Sequence, residues 1–388
     1  MKTNKLKFSF FIISTLFMNS SLIAQWSGDK AFMIGDYVEI GINANGYEGA
    51  NLVDSIPTHD RDGFGQLGFV SNPKGDGWIE YNGDFYMPGV KENGFGLTFT
   101  ILGGEREYGN NAVGLNEIPG EIIDVVDNLD STIIMWEGMV DSLKIAVTYS
   151  LKKDEHFYTT TVSLANLGPE TISNTYYYRN IDADNNQDLD WGFATLNTIE
   201  SQSGMSDDSV IISAISEGDW VAELIFNAYG PEWKGFFGGF SNRNGRVMWH
   251  GLDGLNVEEG SSALSDQAFG LSYYAGDFPP GKASAKTFSF ETVFNREAFY
   301  SAKEVDDSSI NEYELDVNIY PNPVNNNHVT IALKGNFNYQ LIDLKGQVIF
   351  NGAGYNTINL ELENLDQGIY IISLEQGNRS TKQKLIVQ

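Results

Sequence analysis

A chain of 388 residues with 52 acidic against 24 basic side chains carries a net charge of −28, which repels phosphate backbones and anionic membranes and argues against nucleic acid as a partner. It has no cysteine, so neither disulfides nor thiol chemistry contributes, and a chain of this length can bury a core without such staples. With 41 glycines and 10 prolines, the composition favours many short strands joined by tight turns.

Lys2, Lys5 and Lys7 precede an apolar segment at residues 8–17, and Ser20, Ser21 and Ala24 give a small-residue approach to cleavage, with Leu22 a less usual residue two places before Ala24. Residues 1–24 therefore read as a signal peptide, with the cut after Ala24 and Gln25 first in the mature chain. No later apolar run approaches the roughly eighteen residues a spanning helix needs, so no membrane span is expected.

Residues 25–296 read as one passenger domain. Partial alternation runs through 31–40, and 94–101 is an apolar run bounded by glycines. The runs 143–151 and 156–164 face each other across the polar turn 152–155, which predicts a hairpin. Further strands are expected at 175–178, 210–214, 220–226, 235–240, 269–274 and 285–294, and no stretch has a capped helical period. The fold class expected is all-β, with a large antiparallel sandwich.

The stretch most suggestive of chemistry is Asp182, Asp184, Asn186, Asp188 and Asp190, with oxygen side chains at every second position. Such a spacing can turn several oxygens toward one hard cation, which makes calcium the candidate cofactor. The glycine and glutamate of a helix–loop–helix calcium site are missing, since Gln187 and Phe193 stand at the sixth and twelfth places counted from Asp182. The competing reading is a solvated acidic turn. Tyr176, Tyr177, Tyr178 and Trp191 bracket this run, and Trp220, Trp233 and Trp249 follow. An aromatic face beside carboxylates and amides suits a sugar, which makes Tyr176, Tyr178 and Trp191 candidate ligand-binding residues. Alternation puts Tyr176 and Tyr178 on one side of a sheet and Tyr177 on the other, so at least one side is core.

Other apparent motifs carry little. Gly63, Gly65 and Gly68 fit a dinucleotide pattern but sit in an all-β setting. The P-loop-like stretch 276–283 has Ala283 where a hydroxyl is needed and prolines where N–H groups are needed. Arg243-Asn-Gly-Arg246 reads as a hairpin turn. His59, His156, His250 and His328 show no ligand spacing, and catalytic carboxylates cannot be chosen from spacing alone, because such pairs form in space.

Residues 297–316 are acidic and weakly apolar, as in a solvated linker. Residues 317–388 hold equal numbers of basic and acidic side chains, unlike the acidic chain before them, and read as a small all-β domain, a second β-sandwich. Its runs are 317–320, 329–333, 339–344, 347–350, 368–374 and 384–387.

Three features of this tail are Tyr320-Pro321-Asn322-Pro323, the step Leu365, Gly368, Tyr370, and the finish KQKLIV with Lys382 and Lys384. Together they resemble the C-terminal sorting domain of the type IX secretion system. The resemblance implies export across both membranes by that machinery, and a protein that is secreted or anchored at the outer cell surface. More loosely, YYYRNIDADNNQDLDWGFATLNTI at 176–199 and PPGKASAKTFSFETVF at 279–294 resemble large sandwich domains of mutarotase-like architecture. That likeness is one of texture and transfers no catalytic residue. The leading expectation is a passenger that binds an extracellular glycan or another surface partner. A carbohydrate-active enzyme on a mutarotase-like sandwich is the alternative, and a structural surface component is a third.

Overall fold

The hairpin foreseen at 143–164 forms as expected. Leu143–Lys152 and Phe157–Asn166 pair antiparallel, with Val147 opposite Val162. On the first strand Leu143, Ile145, Val147, Tyr149 and Leu151 all point inward and are buried, as a period of two requires. The computed structural model describes residues 25–388 apart from 60–62, 64, 76–82, 87–91, 115, 185–191, 204–207, 217–221, 241–242, 282–284, 310–316, 325–326, 344–347, 363–364, 366, 377–378 and 388. The signal-peptide reading of residues 1–24 lies outside that range.

The protein is all-β and divides into two compact units, one ending at Phe299 and one beginning at Tyr300. In the first unit the hairpin lies within a nine-stranded sheet. Its order is Ser262–Ser265, Thr195–Ser201, Ser209–Ile215, Glu223–Tyr229, Lys286–Val293, Phe157–Asn166, Leu143–Lys152, Ser131–Val140 and Gly120–Asp127. A five-stranded sheet packs on it, in the order Trp233–Gly238, Ala268–Phe278, Ile172–Ile181, Asn93–Ile101 and Gly104–Asn111. Aromatic rings join the two layers: Phe95 meets Trp136 edge-on at 5.6 Å and Tyr177 meets Phe288 at 5.4 Å. A smaller sheet, Trp26–Ser27, Lys30–Ile34, Val38–Ile42 and Phe69–Ser71, adds Met33, Ile40 and Phe69 to the same core.

Three local expectations change. Residues 31–40 are two strands, because the chain reverses at Gly35, whose N–H bonds Val38 O at 2.9 Å. The expected hairpin turn at 243–246 is instead the start of a short helix, Gly245–His250. The Asn244 side-chain oxygen accepts from Arg246 N at 3.0 Å and Val247 N at 3.1 Å, a cap worth about 1 kcal/mol. One and a half turns are too few for a helical period to show in sequence. The acidic linker also begins as a helix, Arg296–Ser309. Asn295 caps it through Ala298 N at 2.9 Å, and buried Phe299 packs edge-on against Phe157 at 5.0 Å.

The second unit is one antiparallel sheet of Val317–Tyr320, His328–Ile342, Val348–Glu361, Gly368–Gln376 and Arg379–Val387. The runs expected at 329–333 and 339–344 are one long strand. Their polar break survives as a register irregularity between Leu333 and Asn336, with Gly335 at φ +94°. Ile331, Leu341, Ile372, Leu374 and Leu385 form its core.

Candidate binding cleft and metal centre

Ile181, the last residue of Ile172–Ile181, is flanked by Asn93 on one side and Phe269 on the other. The next residues therefore leave the sheet between the chain preceding Asn93 and the loop preceding Ala268. Asp182 and Asp184 are buried there and converge on exposed Asp266, with carboxylate oxygens all within 4.8 Å of one another. This triad can hold a metal ion. Burial pushes the Asp182 carboxyl up to about 9, and the charges of Asp184, Asp266 and Glu92 add to the effect. Burial also lifts Glu92 to about 7, against the pull of Arg243 at 2.6 Å and of the Asn180 hydrogen bond at 2.6 Å. A divalent cation among these oxygens would remove that repulsion. Two of the residues suggested by alternation thus come together. Asp266 comes from a loop far along the chain and was invisible to spacing. Asn186, Asp188, Asp190 and Trp191 lie outside the described residues.

The tyrosines obey the alternation but do not form an open platform. Tyr177 faces the inter-sheet core beside Phe288 at 5.4 Å. Tyr178 is 0% exposed, packed with Met248, Phe236 and Leu255 beneath the helix Gly245–His250, so its ring has no face to offer a ligand. Sequence did not reveal that helix, and the helix is the reason for the burial. Tyr176 is 6% exposed; its ring lies 4.9 Å from Tyr274 and 6.3 Å from Trp249, and its hydroxyl is 3.4 Å from His250 Nε2. Trp233 is core. The dinucleotide-like glycines at 63–68 precede short strands, not a helix.

A cleft of about 360 Å³ lies elsewhere on the first unit, and no sequence feature had marked it. Asn43, Asn45, Asn51 and Gln66 line it with carboxamides, Tyr47 and Tyr86 with aromatic rings, and Asp29 and Lys30 stand at one side. Its wall, residues 43–51, is a tight loop clamped from the large sheet. Trp136 Nε1 donates to Ala44 O at 3.0 Å and Tyr149 Oη donates to Gly46 O at 2.6 Å. The Tyr86 ring lies so close over Gly49 (φ +116°) that a Cβ there would sit 2.4 Å from it. Below the loop Glu48 is fully buried, bonded by Arg179 Nη2 and Tyr158 Oη, each at 2.7 Å. Gln66 donates to Asn51 at 2.6 Å, and Asn45 donates to Glu117 at 3.4 Å, which holds the amides in fixed orientations. The signal present in sequence was the Asn-, Gly- and Tyr-rich run 43–51, whose residues also make ordinary turns.

The cleft and the acidic triad share one end of the five-stranded sheet. Ala112, on the cleft wall, donates its N–H to Asn93 O at 2.9 Å, and Asp182 N donates to Glu92 O at 2.8 Å. Asp184 N reaches Phe85 O at 3.3 Å, one residue from Tyr86.

The tail gathers its three sequence features at one place. Asn322 Nδ2 donates to Lys384 O at 2.6 Å, and Ile386 N donates back to Asn322 Oδ1 at 3.0 Å. Val324 N bonds Ile386 O at 2.7 Å, and Tyr370 stands opposite Leu385 and Gly368 opposite Val387. The proline-flanked asparagine thus clamps the basic final strand, and Tyr320, Pro321 and Pro323 lie beside it on the surface. Residues 318–388 match the family model of the secretion system C-terminal sorting domain. The tail is a type IX sorting domain. The sorting domain marks the protein as one that engages the type IX machinery and is secreted or anchored at the outer surface. Among the described residues no helix is long and apolar enough to cross a membrane.

No curated protein matches the chain by sequence. Among solved structures it is similar to a polysaccharide lyase at 12% identity and TM-score 0.37, over 94% of this chain and 47% of that one. It is similar to the α-galactosidase AgaB from Geobacillus stearothermophilus at 6% identity and TM-score 0.33, over 69% and 40%. A galactose mutarotase related enzyme from Lactobacillus acidophilus is similar at 10% identity and TM-score 0.32, over 69% and 97%. The chain spans less than half the length of the first two, and no residue role is carried over from any of them.

Proposed function

We propose that the exported passenger binds an extracellular glycan in the cleft at 43–51 and holds calcium at Asp182, Asp184 and Asp266. The observation that carries this reading is the lining of the cleft. Pre-oriented carboxamides donate to and accept from hydroxyls, and tyrosine rings cover the apolar C–H faces of a sugar. The chemistry favours binding over hydrolysis, because a glycosidase needs two carboxyl groups across the bond and Asp29 is the single one among the described lining residues. Calcium suits a set of oxygen ligands completed by water or backbone carbonyls.

The test is retention of the purified protein on a panel of insoluble polysaccharides with calcium present, while soluble sugar is recorded. Retention without release, lost in Asn51→Ala and Gln66→Ala, is expected. Release of sugar would make the protein an enzyme, and neither retention nor release would remove the glycan reading.

A further inference from the structure

The two long edges of the sorting domain's sheet differ in kind. At one edge Arg379–Val387 carries exposed Lys382 and Lys384, and its backbone is partly occupied by the bonds from Asn322 and Val324. Charged side chains and a covering segment are the usual protection of an exposed strand against further pairing. Among the described residues no segment covers Val348–Glu361, and charge is confined to its last residue. Among the described residues it pairs with one neighbour alone, His328–Ile342, and its other side is open along its length. Of its 14 residues only the last, Glu361, is charged, and none is proline. Ile349, Ala353, Tyr355 and Thr357 project outward, with Tyr355 65% exposed.

Such an edge is a template for an added strand, which gains affinity from main-chain hydrogen bonds and selectivity from alternate side chains. The ladder sets which backbone groups are on offer. Leu362 N bonds Asn327 O at 2.7 Å, so in an antiparallel pair the alternate residues Asn359 and Thr357 turn their N–H and C=O groups away from the neighbour. This strand lies within residues 318–388, the segment that engages the export machinery, and the opposite edge is guarded. We propose that the open edge of Val348–Glu361 accepts an extended, uncharged strand of the export apparatus, which thereby extends the sorting domain's own sheet.

The experiment uses the full chain in the producing bacterium and compares protein in the medium with protein retained in the periplasm. Thr357→Pro removes one outward N–H that the internal ladder does not use, although it follows Asn356 at φ +57°, a conformation that a following proline disfavours. Ile349→Lys with Tyr355→Lys charges the same edge through exposed side chains, and Tyr355→Phe is the conservative control. Melting of the purified variants verifies that the sorting domain still folds; if Thr357→Pro unfolds it, the lysine pair decides. Retention is expected to rise on the order of tenfold in the proline and lysine variants, the factor that about 1.4 kcal/mol of lost binding produces, with Tyr355→Phe exported normally. Folded variants exported at the wild-type rate would overturn the proposal. So would a wild-type dimer that Thr357→Pro dissolves while export is unchanged, because the edge would then serve a second copy of this chain.

Discussion

Arg179 and Glu48, 131 positions apart, meet at 2.7 Å in the core with side-chain exposures of 1% and 0%. The guanidinium also lies over the rings of Phe69 at 5.6 Å and Phe226 at 5.5 Å. Glu48 belongs to the loop that walls the cleft, so the pair ties that wall to the strand Ile172–Ile181.

Removing one partner leaves the other charge buried and uncompensated. Arg179→Ala should lower the unfolding free energy by about 3–5 kcal/mol in urea titration, whereas Arg179→Met with Glu48→Leu should recover much of the loss. Equal losses in the single and double variants would show that the pair's charge balance is not what matters.

Arg296 is a second anchor, for the helix Arg296–Ser309. Its Nη2 donates to Glu200 Oε1 at 2.7 Å, its Nη1 also bonds Glu200, and its Nε donates to Glu223 at 3.3 Å. Burial raises the Glu200 carboxyl, but hydrogen bonds from Arg296 and Ser213 and the Arg296 charge outweigh it and hold Glu200 below its usual 4.5. A depressed folded value means stability that is present above about pH 4.5 and is lost as pH falls through the folded value. The melting temperature should therefore drop below that pH, and Arg296→Ala should make the acid limb shallower. An unchanged limb would remove Glu200 from the account.

Chelation addresses the metal centre. If calcium sits at Asp182, Asp184 and Asp266, EDTA should lower the melting temperature and Asp184→Ala should abolish the difference between chelated and calcium-loaded protein. Identical melts with and without chelator would exclude a stabilising ion there.

Deleting 317–388 should leave the passenger folded but trapped in the periplasm. Asn322→Ala is the finer probe, because it removes two hydrogen bonds to the final strand, worth about 1 kcal/mol each, and leaves the rest of the tail in place. Weaker protection of Ile386 N from hydrogen exchange is expected in that variant. Normal export of the 317–388 deletion would refute the sorting role.

The sequence by itself determined what is local. Alternation at 143–164 specified the hairpin, the side of each strand that Tyr176, Tyr177 and Tyr178 occupy, and the closeness of Asp182 to Asp184, because a strand's side-chain period depends on neighbouring residues alone. The order of Tyr320, Asn322, Gly368, Tyr370 and Lys384 was enough to identify the destination. Only the tertiary structure decided which faces stay open. Tyr178 lost its candidate role to a six-residue helix, too short to show a period, and Asp266 joined the acidic pair from another loop. The cleft formed where Asn43, Asn51, Gln66 and Tyr86 meet around glycines that hold no pattern of their own. Burial and convergence are set by chain segments far apart in sequence, and no spacing along one strand encodes what packs against it.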